Sequence, residues 1–211
     1  MRRIIIKKIL RSCIILTLVL LNATLTTNIF GISLTLNEVL KQYNVQFDTK
    51  GSLTVIRNFK YPAKEKIFHT IIAQGKNNRI EIEIIKPMLK EQALNYSDSK
   101  YKIIKNLYGP QIIPYSGTLT TTTECPEDKK PTETTIEVMG EPIRVLLANA
   151  TDRYVLGVWE DDLIKTKAAF AMVYDKENKT IYQIIIFQPY KSFNQDEVLD
   201  ILKSLKNIPE S

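Results

Sequence analysis

Two sets of residues have types and spacings that catalysis could use. Ser97 and Lys100 form a Ser-x-x-Lys pattern, in which a lysine can activate a serine nucleophile. His69 is the single histidine of the chain, and a histidine can act as a general base near neutral pH. The Ser-Asp-Asn and Lys-Thr-Gly patterns that accompany Ser-x-x-Lys in enzymes do not occur in this sequence. We therefore predict no catalytic residue. The alternative is a small hydrolase with a dispersed active site at Ser97 and Lys100, or at His69.

The sequence also predicts no cofactor site and no metal site. Its seven glycines are scattered, whereas phosphate-binding loops need clustered glycines so that the backbone can approach the anion. His69 and Cys125 lie far apart in the sequence and make a poor zinc ligand set. Asp175, Glu177 and Asn178 offer oxygen ligands for calcium, but the spacing and the terminal glutamate of an EF-hand loop are missing.

The first 33 residues have the pattern of a secretory signal peptide. Five cations precede an apolar run at residues 13–21, and the first acidic residue is Glu38. A positive segment followed by an apolar segment of this size is typical of a cleaved leader. We expect cleavage near residues 31–34, a mature protein of residues 34–211, and a periplasmic or secreted location. An uncleaved membrane anchor is the alternative, although the apolar run is short for a bilayer span, which needs about 20 residues.

Cys125 would then be the one cysteine of the mature chain, so it could form no intramolecular disulfide. Its acidic neighbours Glu124, Glu127 and Asp128 raise the pKa of the thiol and disfavour a catalytic thiolate. We expect a buried or idle thiol, with an intermolecular disulfide through Cys125 as the alternative.

Removal of the leader changes the charge of the protein. The chain has 29 Lys and Arg against 23 Asp and Glu, and without the five leader cations the balance is 24 against 23. A nucleic-acid binder needs a basic footprint to neutralise phosphates, so this class is excluded. Residues 34–118 carry 13 basic and 7 acidic side chains, and residues 119–211 carry 11 and 16. The charges of the two halves could intermix in the folded domain. Alternatively, they could form one basic and one acidic face, which could dock head to tail in a homo-oligomer or place the basic face on an anionic membrane.

Hydrophobic periodicity predicts three helices separated by two groups of strands. We expect helices at residues 34–43, 88–107 (broken near residues 97–99) and 194–206. The first strands fall at residues 52–59, 67–73 and 79–85. The later strands fall at residues 134–139, 142–148, 153–159, 167–174 and 180–188, with a break at residues 160–162.

One strand has a clear period of two. Ile80, Ile82 and Ile84 alternate with Glu81 and Glu83, so we expect the isoleucines to face the core and the glutamates to face solvent. The short turns imply antiparallel strand pairs. Together the elements predict one α+β domain, mainly an antiparallel sheet covered by helices as an α/β/α sandwich.

The carboxyl-terminal end shows a resemblance to a known family. A long hairpin at residues 168–189, AAFAMVYDKENKTIYQIIIFQP, leads into a capped helix that ends at residues 201–206. This arrangement is similar to the end of PsbP-like domains, named for an extrinsic subunit of the photosynthetic oxygen-evolving complex. The resemblance covers about the last 45 residues. It implies an α/β/α sandwich, often exported, that acts as a binding or assembly factor, and it transfers no functional residue.

These observations predict an exported, non-catalytic binding or assembly domain of unknown ligand, whose partner is an unknown protein or a membrane surface. Besides the hydrolase, a second alternative is a carrier that holds a small apolar ligand between the sheet and the helices of residues 88–107.

Overall fold

The computed structural model describes residues 33–49, 51–106, 131–155 and 158–209. The leader and Cys125 therefore lie outside the described residues. Three α-helices are present in these ranges: α1 (Leu36–Leu40), α2 (Lys90–Asn106) and α3 (Gln195–Lys203). The strands are β1 (Val45–Gln46), β2 (Thr54–Ala63), β3 (Lys66–Gln74), β4 (Arg79–Lys86), β5 (Thr132–Val138), β6 (Glu141–Val155), β7 (Val158–Asp175), β8 (Thr180–Pro189) and β9 (Lys206–Asn207).

Seven strands form one sheet in the order β2-β3-β4-β8-β7-β6-β5, and every neighbouring pair is antiparallel. Two runs of hairpins, β2–β4 and β5–β8, meet where β4 pairs with β8, for example at Ile82 and Ile184. β1 and β9 form a separate two-stranded ladder. The predicted α+β fold with a mainly antiparallel sheet is confirmed.

One face of the sheet packs against α1 and α3. The isoleucines of β4 that alternate with glutamates are buried there, as predicted, with partners from both helices. α1 begins at a capping box, in which Thr35 and Glu38 bond each other's backbone N–H groups. Asn194 caps α3 by accepting a hydrogen bond from the Glu197 N–H at 3.1 Å. The shared core includes Leu36, Leu40, Ile80, Ile82, Ile84, Val198 and Leu202.

The opposite face packs against α2. Tyr101 meets Phe170 edge to face, with ring centroids 5.2 Å apart. Its buried hydroxyl donates to the carbonyl of Arg144 and accepts from the N–H of Met172 at 3.0 Å. These contacts fix α2 against β6 and β7, where Ala93 and Tyr101 are buried with Ile185 and Phe187 of β8.

Three predictions about element boundaries were wrong. α2 runs unbroken through residues 97–99, because packing at Ala93 and Tyr101 holds the helix on both sides of that segment. β2 continues through Pro62, because β2 is an edge strand and its outer side needs no N–H donor. Residues 160–162 do not break a strand but lie within β7, which pairs with β6.

In the part of the chain that the structure describes, no helix combines the length and apolar character that a bilayer crossing requires.

Candidate functional site

A row of polar residues lies buried on the α2 face of β4. Arg79, Glu81 and Glu83 are 4%, 5% and 2% exposed. The prediction that the two glutamates face solvent was therefore wrong. Alternation identified two distinct faces of the strand, but β4 lies near the middle of a sheet that is covered on both faces.

Two members of this row neutralise each other. The Arg79 guanidinium lies 2.7 Å from the Glu81 carboxylate, and it also stacks over the Phe187 ring at 4.6 Å from the centroid. Arginine suits such a buried position because its planar guanidinium can pair with a carboxylate and stack on an aromatic ring at once.

Glu83 differs from Glu81 in having no cationic partner on its own strand. Its residue partner across the ladder is Gln183 of β8, which is 4% exposed. The Tyr96 side chain of α2 is hydrogen-bonded to the Glu83 carboxylate. The Gln183 Oε1 atom is buried and has no hydrogen-bond partner among the described residues. A buried acceptor without a partner, as at Gln183, costs about 1–3 kcal/mol.

Burial raises the pKa of the Glu83 carboxyl to about 7, and the Lys100 charge and the Tyr96 hydroxyl of α2 oppose that rise. Lys100 also lies over the Tyr96 ring, with its Nζ 5.3 Å from the centroid. The Lys100 side chain of the Ser-x-x-Lys pattern therefore acts on Glu83, and Ser97 is half-buried on the same helix.

An aromatic strip borders the polar row on its β2 and β3 side. The rings of Tyr61 and Phe68 stack with centroids 5.2 Å apart and planes 8° apart, and the Phe59 ring lies 5.5 Å from that of Tyr61. Phe59 is 55% exposed. The strip adjoins the polar row because Thr70 pairs with Phe59 on one side and with Glu83 on the other.

His69 occupies the opposite face of the sheet. It is buried, its Nδ1 atom is hydrogen-bonded to the Tyr43 hydroxyl, and its Nε2 atom to Asn58 Oδ1. Because an amide oxygen only accepts, Nε2 carries the proton and Nδ1 accepts from Tyr43. Burial and the nearby Lys60 charge lower the pKa of His69 to about 4, so the ring is neutral at pH 7. His69 is therefore a packed residue, and both of its ring nitrogens are hydrogen-bonded.

The candidate calcium residues close a turn. Asp175 Oδ1 accepts from the N–H groups of Glu177 and Asn178 at 2.9 and 3.1 Å, and Oδ2 accepts from the Asn178 side chain at 2.7 Å. Asp175 is buried, and its oxygens are occupied within the β7–β8 turn. Within the described ranges, no group of three or more His, Cys, Asp and Glu residues is placed to hold a metal ion.

The comparisons with known proteins leave the family open. No family model matches the sequence, and no curated protein matches it. Among solved structures, the chain is similar to LpqN of Mycobacterium tuberculosis, which is described as involved in cell envelope biogenesis. That alignment covers 85% of this chain and 100% of LpqN, at 10% identity and a TM-score of 0.36.

Sequence reasoning missed Glu83 and Gln183 as a pair. One signal for them was present, since Gln183 interrupts the apolar run of β8, and that run predicts a central strand covered on both sides. A polar side chain in such a strand must be buried. Its partner depends on the β4–β8 register, which joins segments about a hundred residues apart.

Proposed function

We propose that this chain is an exported, non-catalytic binding domain that holds a small polar ligand on the α2 face of its sheet, through Glu83 and Gln183. The proposal includes cleavage of residues 1–33 and a periplasmic or secreted location for residues 34–211, both supported by the charge and apolar pattern of the leader. It also includes the α/β/α sandwich of PsbP-like domains. The presence of α2 on one face and of α1 and α3 on the other supports that architecture.

The observation that carries the proposal is the buried pair Glu83 and Gln183, which are partners across the β4–β8 ladder. The Gln183 Oε1 atom has no hydrogen-bond partner among the described residues. Native proteins leave few buried polar atoms without a partner. A bound ligand that donates a hydrogen bond to Gln183 would account for this buried acceptor. Ordered water is the competing explanation, since buried water commonly bonds such groups.

The lining of this site favours a polar ligand over the apolar cargo considered above. The middle of the sheet on the α2 face carries Arg79, Glu81, Glu83 and Gln183 rather than a continuous apolar surface. The hydrolase alternative is weakened by the positions of its candidate residues. His69 lies on the face opposite to Lys100, and both of its nitrogens are hydrogen-bonded.

The test is to identify what the exported protein carries. The full chain is expressed with its leader, recovered natively from the periplasm or medium, and denatured so that released small molecules can be identified by mass spectrometry. We expect one polar compound at near-stoichiometric amount from the wild type and from Gln92→Met, a change on the exposed side of α2. We expect its loss from Gln183→Met, which keeps the shape of the side chain and removes the acceptor. Equal recovery from both variants, or no compound from any of the three proteins, would contradict the proposal.

A further inference from the structure

The hairpin of β2 and β3 is basic and carries a single acidic group. Residues 54–74 contain four Lys and Arg against the one carboxylate of Glu65, a net charge of +3. Lys86, at the end of β4, pairs with Ile67 and adds a cation near the turn of the hairpin. The five cations of this surface are Arg57, Lys60, Lys64, Lys66 and Lys86.

These cations are not neutralised within the part of the chain that the structure describes. None of the five forms an ion pair with a described carboxylate. Lys60 and Lys86 instead share one aromatic ring, with their Nζ atoms 5.7 and 4.8 Å from the centroid of Tyr43. Because two like charges beside one ring repel each other, an external anion would stabilise this arrangement.

The aromatic strip lies beside these cations on the same hairpin. Phe59, which is 55% exposed, and the half-buried Tyr61 belong to β2, the strand at the edge of the sheet. Lys60 lies between them in the sequence, pairs with His69 and therefore points to the other face. A surface that approaches the β2 edge can thus contact rings from one face and a cation from the other.

From this combination we infer that the β2–β3 hairpin docks the protein on an anionic bilayer surface. Negatively charged lipids attract lysine and arginine side chains that lie close to the bilayer. Tyrosine rings favour the headgroup region, and phenylalanine rings enter the boundary between headgroups and acyl chains. The cations therefore provide the attraction, and Phe59 and Tyr61 enter the headgroup layer. The inference goes beyond the proposed ligand site, because it uses neither Glu83 nor Gln183.

Two other occupants fit this surface less well. A second copy that pairs through its own β2 strand would bring the same cations together, and like charges that face each other across a strand pair are destabilising. Pro62 also removes an N–H donor from β2, which makes the strand a poorer template for pairing. An acidic protein would neutralise the cations, but a bilayer also provides the interfacial layer that the aromatic rings favour.

The experiment is co-sedimentation of the exported protein with lipid vesicles. One set of vesicles contains phosphatidylcholine alone, and the other contains phosphatidylcholine with phosphatidylglycerol, which is anionic. We expect binding to the anionic vesicles and at least tenfold weaker binding to the neutral vesicles. Binding to the anionic vesicles should weaken as salt is added, because salt screens charges at an exposed surface.

Substitutions place the binding on the hairpin. Lys64→Glu should weaken binding to anionic vesicles about 30-fold, since each basic residue near such a surface contributes about fivefold. Lys76→Glu, the same change at the exposed turn between β3 and β4, lies at the other end of the sheet and should have less than about a threefold effect. Phe59→Ser should weaken binding about tenfold, because it removes an apolar ring from the contact. Leu94→Ser, at a residue of α2 that is 54% exposed, is its control.

Several outcomes would overturn the inference. If the protein does not bind anionic vesicles, or binds neutral vesicles equally well, the hairpin does not dock on an anionic bilayer. Equal effects of Lys64→Glu and Lys76→Glu would show that another part of the molecule makes the contact. Equally tight binding to soluble polyglutamate, unaffected by Phe59→Ser, would show that the hairpin recognises an acidic protein. The co-purified compound tests the site at Gln183 separately, so either proposal can fail while the other stands.

Discussion

At the scale of single residues, two buried ionisable groups depart from ordinary titration in opposite senses. The pKa of Glu83 is raised from 4.5 to about 7, and that of His69 is lowered from 6.5 to about 4. Each group is held in its neutral form, on opposite faces of the sheet, and burial is the main cause in both cases. Their effects on stability therefore run in opposite directions with pH.

The signs follow from proton uptake. Between pH 4.5 and 7 the folded protein keeps a proton on Glu83 that the unfolded chain releases, so stability falls as pH rises. Between pH 4 and 6.5 the unfolded chain binds a proton on His69 that the folded protein refuses, so stability rises with pH. Each contribution is about 3 kcal/mol in magnitude, and the two largely cancel between pH 4.5 and 6.5.

We predict that single substitutions expose the two contributions. In Glu83→Gln the free energy of unfolding should rise by about 3 kcal/mol from pH 4 to 6.5, and in His69→Asn it should fall by about 3 kcal/mol from pH 4.5 to 7. Urea unfolding at a series of pH values measures both, with Glu91→Gln as the control. If the free energy of unfolding depends on pH in the same way in the variants and in the wild type, these groups titrate normally.

A second prediction at this scale concerns the Gln183 acceptor. In the ligand-free protein, Gln183→Met should increase the free energy of unfolding by about 1–2 kcal/mol, because it replaces a buried acceptor without a partner by an apolar group of similar shape. Gln92→Met on the exposed side of α2 should change it by less than about 0.5 kcal/mol. Thermal or urea unfolding measures the difference. Destabilisation by Gln183→Met would mean that the amide has a bonding partner in the free protein.

At the scale of elements, a closed ring of hydrogen bonds links α3 to the sheet. The Asn194 N–H donates to Gln188 Oε1 at 2.8 Å, Gln188 Nε2 donates to Asn78 Oδ1 at 2.6 Å, and Asn78 Nδ2 donates to Glu197 Oε1 at 3.2 Å. The N-cap bond from Glu197 back to Asn194 completes the ring. The ring links the β3–β4 turn, the end of β8 and the first turn of α3.

We expect the members of this ring to be energetically coupled. Gln188→Met and Asn78→Ala should each destabilise the protein by about 1–3 kcal/mol. Asn78→Ala leaves the buried Gln188 amide without its acceptor, and Gln188→Met leaves the half-buried Asn78 without its donor. The double variant should cost less than the sum of the two by about 1 kcal/mol, as a double-mutant cycle of unfolding free energies would show. Additive effects would show that the two side chains act independently.

A further prediction at this scale concerns the attachment of α2. Tyr101→Phe keeps the ring contact with Phe170 but removes the hydroxyl that bonds both Arg144 and Met172. It should cost about 2–3 kcal/mol and raise hydrogen exchange in α2 more than elsewhere. Tyr190→Phe, at a position 40% exposed, is the control. Unchanged exchange in α2 would mean that the hydroxyl does not hold the helix.

The elements also show what the sequence can and cannot predict. Local signals were sufficient where a segment's own residues decide its state. Examples are the capped helix near the carboxyl terminus and the hairpin of β7 and β8. Local signals were insufficient where a segment far away in the sequence determines whether a residue is buried or a helix continues. The burial of Glu81 and Glu83 depends on β8 and α2, and the continuity of α2 depends on the sheet beneath it. The site at Glu83 and Gln183 is of this second kind.

At the scale of the whole molecule, the order of strands keeps the strands of the two halves of the sequence apart. β2–β4 come from the more basic half of the sequence and occupy one side of the sheet, and β5–β8 come from the more acidic half and occupy the other. The helices cross this division, since α2 of the basic half packs against β6 and β7, and α3 of the acidic half packs against β4. The arrangement is compatible with the proposed partners, which are a second copy, another protein or an anionic membrane surface.

The proposed export gives a prediction for the chain as a whole. When the full sequence is expressed in a bacterial host, intact mass measurement of the protein in the periplasm or medium should give the mass of a chain that begins near Leu34. The same spectrum reports whether Cys125 is a free thiol or forms an intermolecular disulfide. Recovery of the intact 211-residue chain from the cytosol would contradict the export proposal.

The pairing of β4 with β8 has a consequence for biosynthesis. Since Ile82 pairs with Ile184, β4 is complete about a hundred residues before its neighbour has left the ribosome. During that interval the β2–β4 hairpins present an open edge. Charged side chains on such an edge disfavour its pairing with other nascent chains. The charges of Arg79, Glu81 and Glu83 therefore reduce aggregation of the incomplete sheet before these side chains become buried.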